Sequence, residues 1–178
     1  MMSGKEYLEK VRRERSILER IMSYIPGYRG YKEKELRRES DRLVRMEVVN
    51  RLKDAKTAFR RKFANPALVQ KLSSEDVFRF DAFTARIDRV TQRIDRAVAG
   101  YAGMFDAVKV REDKLDAVLE YDVSLIEKAE AIKTGVEKVN ELEPGKDEWR
   151  AAMDDLISKV EELDKLVDKR AEILRGLG

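Results

Sequence analysis

Four carboxylates are the residues from which acid–base or metal chemistry could be drawn: Glu35, Glu39, Asp41 and Asp122. Two carboxyl groups in contact can share a proton, and several oxygens around one point suit a hard cation. Their setting weighs against both uses. Glu35 and Glu39 stand four apart among Lys34, Arg37 and Arg38, the ordinary spacing of ion pairs on a helix surface. The chain has no histidine and no cysteine, which removes the commonest general base, the commonest transition-metal ligand and all thiolate chemistry. No catalytic residue, metal or cofactor is therefore expected, and the protein is read as a non-enzyme.

Other residues have binding rather than catalytic character. Arg12, Arg13, Arg37, Arg38, Arg60, Arg61 and Lys62 could track phosphates, with nearby tyrosines stacking on bases. No motif that reads DNA or RNA accompanies them, and a solvated helix face is the plainer explanation. Tyr24-Ile25-Pro26-Gly27-Tyr28-Arg29-Gly30-Tyr31 is a break in an otherwise helical pattern. Pro26 cannot continue a helix, and Gly27 and Gly30 allow backbone angles that other residues avoid. Three tyrosine rings with polar tips predict a corner that packs as a small satellite core. Tyr24, Tyr28, Arg29 and Tyr31, together with Tyr101 and Phe105 in a second break at Gly100 to Val110, form a possible interaction corner. Asp122, next to Tyr121, falls on an apolar seam. It is either a buried polar group that fixes register or a residue turned outward by a local phase slip.

Long amphipathic helices must position these groups. From Lys5 to Ile25, apolar residues recur at Leu8, Val11, Leu18, Ile21, Met22 and Ile25, predicting a first helix with a weakly anchored start. Tyr31 to Phe63 carries Leu36, Leu43, Met46, Val49, Leu52, Ala55, Phe59 and Phe63 with no Gly or Pro inside, which predicts one long unbroken helix. Asn65-Pro66 reads as a cap followed by proline at the first helical position, opening a short helix through Leu72. Ser73 with Asp76 resembles a capping box for the next long helix. That helix shows Val77, Phe80, Phe83, Ile87, Val90, Ile94 and Val98 on one side. Arg-Ile-Asp-Arg occurs in it twice, at Arg86 and Arg93, placing both isoleucines in one seam as in a helix packed lengthwise on another. From Arg111, positions 115, 118, 122, 125, 129, 132, 136 and 139 make a fourth seam. Pro144-Gly145 then turns the chain into a last helix with Trp149, Met153, Leu156, Val160, Leu163, Val167, Ala171 and Leu174, so the final two helices form an antiparallel hairpin.

The chain of 178 residues is 43% apolar and 41% charged, enough apolar material for one core beneath a very ionic surface. Charge is polarised along it. Residues 1 to 64 hold 19 basic and 10 acidic side chains, whereas residues 111 to 178 hold 12 and 19. Either the basic and acidic helices lie together, or the basic ones face an anionic partner such as nucleic acid or a membrane surface. No uncharged run approaches the roughly 20 residues of a membrane span, and Met1 to Lys10 lacks the apolar core of a signal peptide, so a cytoplasmic location is expected.

The stretch Ile25-Pro-Gly-Tyr-Arg-Gly-Tyr-Lys-Glu-Lys-Glu35, followed by Leu36-Arg-Arg-Glu-Ser-Asp41, resembles the signature of an uncharacterised group of helical archaeal and bacterial proteins that share a PGY-x-GY-x-x-KE-x-RRE-x-D motif. Gly100 to Val110 and Glu120-Tyr121-Asp122 resemble that group in the same order, and the likeness covers roughly residues 17 to 136. The resemblance implies one integral prokaryotic fold and no assigned activity. It also implies that Gly100 to Val110 is a shaped corner that could lie against the tyrosine corner.

The fold class expected is all-α: an elongated antiparallel helical bundle, coiled-coil-like, of four long helices plus a short connecting helix in a single domain. The function expected is a non-catalytic scaffold or protein–protein interaction module that engages another protein or a second copy of itself. Peripheral binding to anionic membrane or nucleic acid is the alternative, and no small-molecule substrate is expected.

Overall fold

A computed structural model describes residues 1–97 and 112–174, except the side chains of residues 34, 112–114, 171, 173 and 174. The chain is all-helical, with no strand among the described residues. The elements are α1 (Gly4–Tyr24), a 3₁₀ turn (Lys34–Leu36), α2 (Arg37–Lys62), α3 (Pro66–Val69), α4 (Ser74–Arg96), α5 (Glu112–Glu141) and α6 (Asp147–Leu174). Where four long helices were expected, five of more than twenty residues are described, because α1 is itself a full 21-residue helix. Its start is anchored after all. Ser3 and Glu6 make a reciprocal capping box, which offsets the unpaired amides of the first turn.

The caps expected further along are present. Asn65 accepts from the Ala67 amide ahead of Pro66, and Ser73 and Asp76 cap α4 reciprocally. The short helix ends at Val69, earlier than the Leu72 expected. The second long helix departs most from expectation: it begins at Arg37, not Tyr31, and spans 26 residues, or about 39 Å. Local bonds hold residues 30 to 36 off the helical path. Gly30 has φ +74°, its carbonyl accepts from Ser40 Oγ at 2.6 Å, and the Tyr31 carbonyl accepts from Arg37 Nε at 2.8 Å.

Numbered pairs give the helix directions. Arg79–Asp154, Arg86–Glu161 and Arg93–Asp168 climb α4 and α6 together in steps of seven, so these two helices run the same way. Arg13–Glu120 and Arg20–Glu127 do the same for α1 and α5, as do Arg51–Glu130 and Asn140–Ala58 for α2 and α5. Lys128–Glu162 and Asp122–Arg170 run in opposite senses along α5 and α6, as expected for the hairpin at Pro144-Gly145. The α2–α4 pair is also antiparallel, since Phe59 meets Phe83 and Phe63 meets Phe80. Helices α2, α4, α6 and α5 thus close a ring, and α1 packs outside it on α5.

Because α1 and α2 both point along α5, the chain must travel back between them. Residues 25 to 36 make that return, and Lys32 ends beside Glu14, more than two turns back along α1. Gly27, with φ +89°, and Gly30 supply the left-handed turns that side chains resist. Tyr28 and Tyr31 enter the main core instead of forming a satellite one, because the return path lies over the seam between α2 and α5.

The ring has two unlike ends. At one, Phe59 contacts Phe63, Phe80 and Phe83 with ring centroids 4.6–5.1 Å apart, and Phe63 meets Trp149 at 6.1 Å. At the other end the buried stripes turn polar.

Candidate functional site

Asp122 is the seam carboxylate of α5, and it is completely buried. Arg170 Nε of α6 donates to its Oδ1 at 2.8 Å, and the hydroxyls of Tyr31 and Tyr28 both donate to its Oδ2, the latter at 3.4 Å. The same guanidinium reaches Asp41 Oδ1 of α2 at 2.5 Å, and Arg45 Nε, one turn along α2, donates to Asp41 Oδ2 at 2.8 Å. Asp41, Arg45 and Arg170 are 3%, 6% and 3% exposed. Two carboxylates and two guanidiniums are therefore sealed in the interior with no net formal charge, joining the return segment, α2, α5 and α6 at one level.

Burial pushes the Asp122 carboxyl up, against the downward pull of Arg170 and the Tyr31 hydroxyl. Burial also raises Tyr28 and Tyr31, and the Asp122 charge adds to it, so both remain protonated donors. Burial alone would lower Arg170, but Asp122, then Tyr31 and Asp41, outweigh it and hold the guanidinium charged well above its ordinary range. Such a network is a poor source of net stability, because desolvating four charges costs about as much as their attraction returns. Its leverage is on alternatives: apolar stripes can slide by a heptad, whereas a slipped register would leave each charge buried alone. Tyr31→Phe removes one donor to a buried carboxylate and is expected to cost about 1.5–3 kcal/mol. A urea denaturation midpoint measures this, and an unchanged midpoint would show that the hydroxyl contributes nothing.

A second buried carboxylate ties the opposite end. Asp76 caps the first turn of α4 and accepts from Arg150 of α6 through two parallel bonds, 2.8 and 3.0 Å, with Arg79 at 3.3 Å. The Arg150 hydrogen bonds lower its pKa to about 2, against the upward push of burial and with help from Ser73. A carboxylate depressed in the folded state stabilises fully above its unfolded value and loses that contribution as pH falls through the folded one. Stability is therefore expected to drop between about pH 4 and pH 2 in the wild type, and less steeply in Asp76→Asn, as read from thermal melts across that range.

Beside the network lies an open cleft of about 210 Å³ between α1, residues 29 to 32 and the start of α5. Val11, Leu18, Leu115 and Leu119 line it, and Lys10–Asp116 at 3.2 Å and Lys32–Glu14 at 3.1 Å edge it. Burial, followed by a hydrogen bond to Glu14, raises Asp116, while Lys10 opposes the shift.

The structure distributes the residues singled out in the sequence unevenly. Tyr28, Tyr31, Asp41 and Asp122 converge, Tyr24 is half-buried with Arg51 stacked over its ring at 5.0 Å, and Arg29 is exposed. Tyr101, Phe105 and the Gly100 to Val110 corner lie outside the described residues. Glu35 is exposed, and Glu39 pairs with Arg42 on the surface, so neither joins Asp41. The seven cations do not form one face. Arg13 pairs with Glu120, Arg37 holds the Tyr31 carbonyl, and Arg38 is exposed at the start of α2, while Arg60, Arg61 and Lys62 occupy its far end and Arg12 faces solvent on α1. Sequence reasoning missed Arg45 and Arg170 as buried residues. The available signal was phase: Arg170 falls seven residues after Leu163, on the stripe of α6, at the level where α5 presents Asp122.

Fold and site together define an all-helical protein with a charge-balanced ionic network inside it. No protein family, curated protein or solved structure matches the chain.

Proposed function

We infer that the protein is a non-catalytic scaffold or protein–protein interaction module, built as a single elongated helical bundle and working in the cytoplasm of a prokaryotic cell. Its kinship with the PGY-x-GY group is part of the same proposal. The observation that carries it is how the buried carboxylates are used. Asp41, Asp76 and Asp122 have their oxygens occupied by arginines, tyrosines and a helix cap, which is the arrangement of a rigid frame and not of groups held open for a substrate. Apolar side chains meanwhile stand in solvent on helix faces, among them Tyr7, Leu8 and Val11 of α1 and Val77 and Phe78 of α4. Among the described residues no helix is long and apolar enough to cross a membrane.

Anion binding through the N-terminal helices draws less support, since Lys10, Arg13, Arg20 and Arg51 pair with acidic residues of α5. Titration of a fluorescent oligonucleotide and of anionic vesicles at low and moderate salt separates the two. Weak binding to both is expected. Tight binding that falls steeply with salt would overturn the scaffold assignment in favour of an electrostatic binder.

A further inference from the structure

Helix α4 carries two stripes, and the ring uses only one. Phe83, Ile87, Val90 and Ile94 face the core, while Glu75, Phe78, Ala82, Ala85 and Arg89 follow the same three-and-four spacing on an adjoining face. Phe78 is 71% exposed, in the second turn of a capped, well-formed helix. It stands at the edge of a groove between α4 and α6 whose floor includes Ala82 and Ile157 and whose wall is formed by the Arg79–Asp154 and Arg86–Glu161 pairs. A solvated aromatic on a heptad stripe is the surface that a second helix covers.

We propose that this face is the self-association surface of the protein, with Phe78 as its anchor and the α4 stripe of a second copy, running antiparallel about a twofold axis near Ala82, as its occupant. This deepens the interaction-module assignment and rests on it. The choice of occupant comes from self-complementarity. About an axis at Ala82, Glu75 of one copy meets Arg89 of the other, twice, and Phe78 lies over the small Ala85 and within reach of the Arg86 guanidinium. A parallel pairing would set Glu75 on Glu75 and Arg89 on Arg89. Among the described residues neither charge sits in a close pair: Glu75 acts on Arg79 and Arg150 without forming an ion pair with them, and Arg89, 72% exposed, meets only Asp164, at 3.9 Å. Small residues at the crossing let the two backbones approach closely. One helix pair is a modest interface, so the dimer is expected to dissociate in the micromolar range.

Sedimentation velocity on the full chain, from about 1 to 200 µM, tests this. The wild type is expected to shift from the 20.7 kDa monomer toward twice that mass. Phe78→Glu is expected to remain monomeric throughout, with the helical signal and melting temperature of the wild type, because the side chain makes little contact in the monomer. Arg89→Glu and Glu75→Arg are each expected to weaken association at least about tenfold by setting like charges together. An equimolar mixture of those two variants is expected to dimerise again, since both cross-pairs are then of opposite sign. A wild type that stays monomeric overturns the proposal, as does a dimer indifferent to Phe78→Glu or a mixture that fails to recover. The indifferent dimer leaves the interaction-module assignment standing, whereas tight oligonucleotide binding removes that assignment without touching the dimer result.

Discussion

Replacing Arg170 with methionine is expected to lower the free energy of unfolding by about 3–5 kcal/mol, the range for removing one partner from a buried ion pair. Methionine fills much of the same volume, so the cost does not come from a cavity. It arises because Asp122 and Asp41 each lose a charge-assisted bond, 2.8 and 2.5 Å long, in an interior from which water is excluded. Asp122 keeps two tyrosine hydroxyls and Asp41 keeps Arg45, but two negative charges then face a single cation. Burial already pushes the Asp122 carboxyl up in the intact protein, against the pull of Arg170, so removing Arg170 is expected to push it up further and to favour the protonated form. The variant should accordingly be more stable in mild acid than at alkaline pH. Urea denaturation at two pH values reads both effects, and a loss under about 1 kcal/mol at neutral pH would mean that the pair is not buried as described.

The other large effect lies at the aromatic end. Phe59→Ala is expected to cost about 3–5 kcal/mol, from lost transfer free energy and from the space left behind. Phe59 is fully buried and touches Phe63, Phe80 and Phe83, so it is the central ring of the aromatic cluster that joins the end of α2 to α4. Its neighbours belong to long helices fixed along their length, and they cannot collapse into the vacancy without moving α4. The same urea titration measures the loss, and near-ambient stability in Phe59→Leu would separate the cavity from the aromatic contacts.

The two ends differ in how much of them could be read in the sequence. Every apolar position of the α5 seam is buried as its three-and-four spacing predicts, and Asp122, which the spacing left either buried or turned outward, takes the buried alternative. The α6 stripe from Trp149 to Val167 and the Ser73–Asp76 cap are equally faithful, because each depends on local periodicity or a contact three residues away. The start of α2 was misread for the opposite reason. Its buried face there is Ser40, Asp41, Val44, Arg45 and Val48, so an apolar pattern follows the wrong phase and selects Met46, which is exposed. Polar residues point inward only where distant partners meet them, and the partners of Asp41 and Asp122 on α6 are 129 and 48 residues away. Asp76 was legible as a cap but not as the partner of Arg150, 74 residues on. Charge polarity along the chain was legible as arithmetic, and its use was not: acidic α5 residues receive cations from α1 and α2, while acidic α6 residues receive them from α4.

The most direct test of the ionic network as the element that joins the return segment, α2, α5 and α6 is a double-mutant cycle. Asp122→Asn, Arg170→Met and the combined variant are unfolded in urea, and their free energies are compared with the wild type. A coupling of about 2 kcal/mol or more is expected, with the double variant more stable than the sum of the single losses allows, because neither charge is then left alone in the interior. Losses that simply add, within about 0.5 kcal/mol, would show that the two side chains do not depend on each other and that the network does not hold these elements together.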